Sequence, residues 1–279
     1  MPPELPVEWL FLISILAGFI GAMSGMGGGV VLIPALTLFH MDIKKAIAIS
    51  IVSVIATSSG SAAAYVRDRI TNLKVGMFLE MFTIVGALIG AAVTLLIMQQ
   101  LLFILFGLVL LTSGLMIFLQ RHQTVGPVHQ DAFSHWLELE GSYHDQATGQ
   151  TIHYQGCRAY LGGPLMFGAG MIAGLLGIGA GALKVLIHDL VMKLPAKVST
   201  TTSNLIIGVT ALAGTSVYLA KGMIDPGAAV PVITGITLGA FLGTRLLVRI
   251  TNQAVRHFFL LVLLVLGIEM IVRGIRGGQ

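Results

Sequence analysis

Charged residues are scarce in this chain of 279 residues, since Asp, Glu, Lys and Arg together make up only 10% of it. A soluble domain carries about 25% charged residues, and a water-facing surface cannot be built from so few. Hydrophobic residues make up 56% of the chain. The composition therefore excludes an ordinary soluble globular protein and indicates an integral membrane protein.

The motifs of several enzyme classes are also missing. Cys157 is the sole cysteine, which excludes an internal disulfide framework and a cysteine cluster. The chain has no ATP-binding P-loop and no HExxH sequence, and no Ser/His/Asp or paired-carboxylate arrangement stands out. We therefore predict that the protein is not an enzyme, has no cofactor or metal, and uses an ion gradient if it pumps.

Basic residues are few at the N-terminus and scattered elsewhere. The segment 1–8 contains no Lys or Arg, whereas a cleavable secretory signal normally begins with positive charge. We expect the first apolar block to be permanent structure. Lys and Arg lie at the ends of apolar blocks, a placement that suits lipid headgroups and membrane topology and does not indicate nucleic acid.

Long, nearly uncharged blocks dominate the sequence. They cover 9–39, 46–66, 75–98, 101–120, 159–191, 204–220, 227–248 and 257–272. A helix needs roughly 20 apolar residues to cross the hydrocarbon core, and most of these blocks are of that order. The strands of a membrane β-barrel would instead alternate apolar and polar residues. The blocks therefore predict a polytopic all-α membrane protein.

An internal repeat relates the two halves of the chain. Two-fold repeats are a common plan of secondary transporters. The residues that match at a constant offset are Ala17 and Ala169, Gly18 and Gly170, Ile20 and Ile172, Gly25 and Gly177, Gly27 and Gly179, Gly29 and Gly181, and Lys45 and Lys197. After the insertion of one residue, the matches continue with Ser50 and Ser203, Thr57 and Thr210, Tyr65 and Tyr218, Gly86 and Gly239, Gly90 and Gly243, and Gly114 and Gly267.

Each half predicts a broken helical hairpin followed by three helices. The repeats cover 1–120 and 159–279, and the short second arms, near 29–39 and 181–191, cannot cross the membrane alone. If each broken pair folds back as a hairpin, most Lys and Arg residues fall on one face, as the positive-inside rule prefers. Each half then crosses an odd number of times, which predicts a bundle of two inverted repeats.

The hydrophilic segment 121–158 separates the repeats and is expected to lie in the cytoplasm. The stretches 137–143 and 151–154 flank a turn containing Gly149, which predicts a small β-hairpin. The histidines of this segment lack a compact ligand spacing. We interpret it as a solvated linker, with a metal or regulatory site as the alternative.

The two glycine breaks, 25–29 and 177–181, are the predicted functional centre. Irregular backbone at membrane depth survives only inside protein or beside a water-filled cavity. Free N–H groups at the start of each short helix can approach an anion closely. The alternative is that these glycines only permit tight helix packing.

Polar side chains follow each short helix. Their hydroxyl and amide groups can donate to an oxyanion, although interhelical hydrogen bonds are an equally good explanation. Lys184 is a charged residue at bilayer depth that could attract an anion, reach the cytoplasmic side or pair with Asp189. The predicted substrate-binding residues are Ser24, Gly25, Gly27, Gly28, Gly29, Ser50, Ser53, Gly177, Gly179, Gly181, Lys184, Thr202, Ser203 and Asn204. Glu80 and Glu269 could each carry a proton, or could be satisfied acids at the membrane interface.

The sequence resembles the TauE/SafE sulfite exporter family, also called the toluene sulfonate uptake permease family. The resemblance rests on Gly25-Met26-Gly27-Gly28-Gly29 with Pro34, on Gly177-Ile178-Gly179-Ala180-Gly181, and on the Ser203-Asn204 pair. It implies a bacterial or archaeal inner-membrane permease for sulfite, sulfonates or related organosulfur anions, for which proton coupling is plausible. Ala180 replaces a glycine of the second motif, and segment 121–158 is longer than a minimal linker.

The leading prediction is a secondary transporter of a small sulfur-containing anion that works by alternating access. The alternative is a channel or transporter for another small solute or a cation, which would need acidic side chains at the midplane. A membrane enzyme or a structural scaffold fits the sequence less well. The substrate, the transport direction, the coupling ion and the oligomeric state, including a homo-oligomer, stay open.

Overall fold

A computed structural model describes residues 6–24, 27–67, 69–119, 130–145, 149–247 and 252–277. Within these ranges the chain is predominantly helical, which confirms the predicted all-α class. The helices of the first half are α1 (Val7–Ser24), α2 (Gly29–Leu38), α3 (Ile43–Arg67), α4 (Leu73–Leu96) and α5 (Gln99–Leu119). The central segment contains α6 (Ala132–Trp136), β1 (Glu140–Asp145) and β2 (Gln150–Gln155). The second half contains α7 (Ala159–Leu176), α8 (Gly181–Leu186), a π-helical turn (Ile187–Val191), α9 (Ala196–Ala220), α10 (Pro226–Leu247) and α11 (Asn252–Ile275).

Several helices are long and apolar enough to span a bilayer. The described stretches that meet both criteria are Ile43–Gly60, Leu73–Leu96, Ala159–Leu176, Ala196–Ala220 and Pro226–Gly243. Large apolar side chains also point outward from the bundle, as in Met77 and Leu212, instead of into its core. Apolar surface of this extent marks a membrane contact. The protein is therefore a multi-pass integral membrane protein.

Each broken pair folds back on itself. In the first, the Trp9 ring at the start of α1 lies 6.5 Å from the Phe39 ring just beyond the end of α2. In the second, the Cys157 N–H just before α7 donates to the Met192 carbonyl just after the π-helical turn, at 3.1 Å. Both ends of each pair therefore lie on one side, with the glycine break at the tip. The opposite orientation of the two halves stays a prediction.

The long helices pack in reciprocal pairs. Helix α1 packs along α10 and α4 along α7, while α3 packs along α9 and α5 along α11. Since α1 corresponds to α7 and α4 to α10 in the repeat, each contact has its counterpart under an exchange of the two halves. This is the pairing that a two-fold relation between the halves produces.

Glycines bring these helices into backbone contact. A Cβ atom on Gly18 would lie 2.2 Å from the Ile236 carbonyl oxygen, and one on Gly170 would lie 2.4 Å from the Thr83 carbonyl oxygen. Gly18 and Gly170 are repeat partners, as are Thr83 and Ile236. The α1–α10 and α7–α4 crossings therefore have the same close contact. Small residues at the crossings of membrane helices let the two backbones approach each other.

The described part of the central segment, 130–145 and 149–158, contains the predicted β-hairpin and contacts the helical bundle. Strands β1 and β2 pair antiparallel, with Glu140 opposite Gln155. Exposed Glu138 forms an ion pair with Lys74 at the start of α4. The Asn72 amide donates to the Tyr154 hydroxyl at 3.1 Å, and its Oδ1 accepts from the Val75 N–H at 3.0 Å, which caps α4.

Burial changes the acidity of two groups in this segment. Burial raises the pKa of the Tyr154 hydroxyl, against the opposing effect of the Asn72 hydrogen bond. Burial also raises the pKa of the Cys157 thiol, which therefore stays protonated at neutral pH. The Tyr154 hydroxyl and the Cys157 thiol are therefore both uncharged where this segment contacts the bundle.

Candidate functional site

Left-handed backbone interrupts both broken pairs at the predicted positions. Gly27 has φ +81°, Gly177 has φ +64° and Gly179 has φ +71°. Ala180 also adopts a left-handed conformation, with φ +48°, although it carries a Cβ atom. Such a conformation costs an L-residue roughly 1–2 kcal/mol, so the surrounding structure must hold Ala180 in it.

The two breaks touch each other beside α3. The Ser50 hydroxyl donates to the Gly177 carbonyl at 3.0 Å, which ties the first half to the tip of the second hairpin. A Cβ atom on Gly29 would lie 2.5 Å from the Ser50 Oγ and 2.8 Å from the Gly177 carbonyl oxygen. Glycine is required at position 29 because the neighbouring tip occupies the space of any side chain.

Val54 and Ile207 pack between and beside the glycines. A Cβ atom on Gly27 would lie 3.5 Å from the Val54 methyl groups, and one on Gly179 would lie 3.1 Å from Val54 and 2.8 Å from Ile207. Val54 on α3 and Ile207 on α9 occupy corresponding positions of the repeat. The tips and the two central helices therefore form one tightly packed centre.

The predicted serines donate to backbone carbonyls in this conformation. The Ser53 hydroxyl donates to the Ser50 carbonyl at 2.6 Å, and the Ser203 hydroxyl donates to the Gly181 carbonyl at 3.4 Å. A hydroxyl has one proton to donate, so each of these serines is already engaged. Their observed role is to hold the breaks and helices together.

Thr202 and Asn204 differ from the serines. The Thr202 hydroxyl oxygen accepts from the Asn72 N–H at 3.1 Å, which connects α9 to the start of α4. The Asn204 carbonyl accepts from Ser58 across the α3–α9 contact. The Asn204 side chain is only 7% exposed, and its amide has no hydrogen-bond partner within the described part of the chain. The amide group of Asn204 is therefore available, within the described residues, to donate to a ligand.

The structure gathers most of the predicted residues. Those that lie at the two tips or on the adjoining turns of α3, α8 and α9 are Gly27, Gly28, Gly29, Ser50, Ser53, Gly177, Gly179, Gly181, Lys184, Thr202, Ser203 and Asn204. Gly25 lies outside the described residues. Ser24 is the last residue of α1, and its side chain is likewise outside the described part.

The Lys184 side chain is completely buried and makes one hydrogen bond within the described residues. Its Nζ donates to the Thr210 hydroxyl on α9 at 2.7 Å, and its exposed fraction is 0%. It therefore neither reaches the membrane surface nor pairs with Asp189. A buried ammonium has three donors, and two of them have no partner among the described residues.

Glu80 on α4 completes this contact and was not among the predicted binding residues. Thr210 Oγ1 lies 3.2 Å from Glu80 Oε1. It also lies 2.6 Å from the carbonyl oxygen of Ile206, which is on the same helix, α9. Glu80 is 9% exposed, so its side chain faces the interior of the bundle. Two sequence signals could have found this cluster: a single acid within an uncharged block, and the repeat match of Thr210 to Thr57.

His188 borders the same cluster. Its Nδ1 lies 3.2 Å from the Ser199 carbonyl, and since a carbonyl only accepts, this nitrogen carries the proton. Its Nε2 is buried and has no partner among the described residues. The sequence predicted an α-helix over 181–191, but the stretch after Leu186 is a π-helical turn. Turns of this kind recur at functional sites.

The described residues contain no group of three or more His, Cys, Asp and Glu side chains that could hold a metal ion. His135, His144 and His153 of the central segment are thus not gathered into one cluster.

Comparison with known proteins assigns the family. The sulfite exporter TauE/SafE family profile matches residues 10–270. The probable membrane transporter protein YunE of Bacillus subtilis is 26% identical over 275 residues, which are 95% of this chain and 97% of that protein. The probable membrane transporter protein YdhB of the same organism is 28% identical over 237 residues, or 85% and 86%. No solved structure matches the chain. Because the family profile spans nearly the whole chain, the protein belongs to the sulfite exporter TauE/SafE family of membrane transporters.

Proposed function

We propose that this protein is a secondary transporter of a small sulfur-containing anion, such as sulfite or an organosulfonate, and that the anion binds where the two hairpin tips meet. The contact of Gly29 and Ser50 with the Gly177 carbonyl carries this proposal. Two irregular tips that meet inside a membrane bundle are expected to have a ligand-related role, since unpaired backbone is costly there.

The chemistry around the tips favours an oxyanion. The N-terminus of α2 presents backbone N–H groups and the positive end of a helix dipole. Lys184 adds two donors that are unused within the described chain, and Asn204 adds an amide group. These donors suit a negatively charged oxygen ligand.

The central packing also indicates how transport proceeds. Val54 packs against both tips in this conformation, and Ile207 packs against Gly179 of the second tip. An anion can enter only when α3 and α9 separate or the tips withdraw from one another. Inverted repeats exchange such states by rocking one bundle against the other around a fixed site. Alternating access driven by an ion gradient is therefore the mechanism that we propose.

A cation channel is the competing function. It would need uncompensated carboxylates beside the pathway. In the described part of the bundle centre, Glu80 faces Lys184 across Thr210, so its negative charge is already balanced. This pairing favours the anion transporter.

The proposal predicts flux in a reconstituted system. Proteoliposomes containing the purified protein are expected to exchange external radiolabelled sulfite for internal sulfite faster than protein-free liposomes. Excess unlabelled sulfite or methanesulfonate should compete, whereas sodium and potassium fluxes should not change. Anaerobic buffers prevent oxidation of the sulfite. Equal sulfite flux with and without protein, for sulfite and for methanesulfonate, would refute the proposed function.

A further inference from the structure

We infer that Glu80 is the proton-coupling site of the transporter, and that its protonation releases Lys184 from Glu80 to the anion. The inference rests on the proposed function and adds the coupling ion and the residue that carries it. Two features support it: the hydrogen bonds that connect Glu80, Thr210 and Lys184, and the buried atoms around them that have no partner among the described residues.

The Glu80 carboxylate is poorly supplied with hydrogen bonds. Oε1 accepts from Thr210 at 3.2 Å, while Oε2 is buried and has no partner among the described residues. A buried carboxylate is stable only if it is paired and hydrogen-bonded. Glu80 therefore depends on the nearby ammonium of Lys184 when it is charged, and loses that dependence when it binds a proton.

Thr210 transmits the change between the two residues. Its hydroxyl accepts from Lys184 at 2.7 Å and can donate its single proton either to Glu80 or to the Ile206 carbonyl at 2.6 Å. When Glu80 is ionised, the hydroxyl proton turns to the carboxylate. When Glu80 is neutral, the proton turns to Ile206, and Lys184 no longer has a counter-charge.

Lys184 then has both a charge and donors to offer. It lies three residues after Gly181, at the tip of the second hairpin, and two of its three donors are unused within the described chain. One proton on Glu80 and one monoanion on Lys184 keep the buried site at constant net charge. The pair therefore moves one proton with one monoanion, in the same direction and without net charge.

On α3 and α4, which pack against this cluster, the Lys44 ammonium donates to the Leu95 carbonyl, while Lys45, Arg67 and Lys74 are exposed. On the π-helical turn, His188 is fully buried beside Lys184, and Asp189 has one buried oxygen without a partner in the described chain. The buried parts of α5 and α7 contribute no charged side chain, and Lys197 on α9 is exposed. Within the described part of the chain, His188 is a rival proton carrier at this centre, because its Nε2 has no partner and can bind a proton.

The test measures sulfite accumulation driven by a proton gradient in proteoliposomes whose membrane potential is clamped. A gradient of one pH unit can drive an about tenfold accumulation of a monoanion that moves with one proton. The wild type and the exposed control Glu140→Gln are expected to approach this value. Glu80→Gln should lose the accumulation while exchange of labelled for unlabelled sulfite stays measurable and no longer responds to pH. His188→Gln should still accumulate sulfite.

Each other outcome is decisive. Accumulation by Glu80→Gln at the wild-type level, or its loss in His188→Gln alone, overturns the inference. If the Glu80→Gln protein is not monodisperse, Glu80→Asp takes its place in the test. The Asp variant keeps a carboxyl group, so its sulfite exchange must still respond to the proton gradient. A well-folded Asp variant that does not respond overturns the inference. Wild-type exchange that ignores the proton gradient refutes the coupling but leaves the transporter proposal intact, whereas no wild-type exchange at all refutes the proposed function.

Discussion

Replacing Lys184 with Met is expected to destabilise the protein and to abolish anion binding. The substitution leaves the Glu80 carboxylate buried without the ammonium that faces it across Thr210. Removing one partner of a direct buried ion pair costs roughly 3–5 kcal/mol, and we expect a smaller cost for this bridged contact. We expect a clear drop in the melting temperature of the purified protein in detergent. Lys221→Met, at an exposed position beyond the end of α9, serves as the control and should melt like the wild type.

The double variant Glu80→Gln/Lys184→Met separates stability from function. Removing the carboxylate as well takes away the unpaired charge, so the melting temperature should return most of the way to the wild-type value. In a double-mutant cycle, the effects of two residues in one network do not add. Sulfite binding should not recover, because the ammonium is still missing. A single Lys184→Met variant that melts like the wild type, or a double variant that melts no higher than the single one, would contradict the pairing.

Replacing Gly170 with Leu is expected to disrupt the α4–α7 crossing. A Cβ atom there would already lie 2.4 Å from the Thr83 carbonyl oxygen, and backbone cannot move aside as a flexible side chain can. Overpacking of a tight contact costs typically 1–3 kcal/mol and occasionally more. We expect the cost for Gly170→Leu to lie at the upper end of this range. The measurement is a lower melting temperature and a smaller fraction of monodisperse protein.

Gly168 on the same helix provides the matched control. A Cβ atom at Gly168 meets no atom within 4 Å, so Gly168→Leu adds a side chain where space is open. Its melting temperature should stay near that of the wild type. If the Leu variants at both positions have the same stability, the backbone contact between α4 and α7 does not exist in solution.

The membrane class and the helix breaks were predictable because both follow from local sequence. An apolar block of sufficient length has few alternatives to a membrane helix, and the runs 25–29 and 177–181 concentrate glycine, which is costly in a helix interior. The predicted helix ends lie within a few residues of the observed ones, as at 75–98 against Leu73–Leu96. The repeat match of Gly18 to Gly170 was visible in the sequence, but the close helix crossings at these glycines were not predicted.

The partners of the buried polar residues were not predictable, because they depend on how distant helices pack. Glu80 and Thr210 are far apart in sequence and meet only because α4 packs against α9. Nothing in the sequence of 181–191 distinguishes a π-helical turn from an α-helix, so the burial of His188 was missed. Ser50 and Ser203 were predicted as anion donors, yet their donor groups are engaged by backbone carbonyls in this conformation.

The location of a bound oxyanion is the most direct test of the account. Selenite has the shape and charge of sulfite, and the anomalous scattering of selenium places it in crystals of the protein. We predict a selenium peak between the two hairpin tips, with its oxygens within about 3.2 Å of backbone N–H groups near Gly29 or of the Lys184 Nζ. A selenite bound elsewhere in the bundle, with both tips unoccupied and still in contact, would contradict a shared anion site at the glycine breaks.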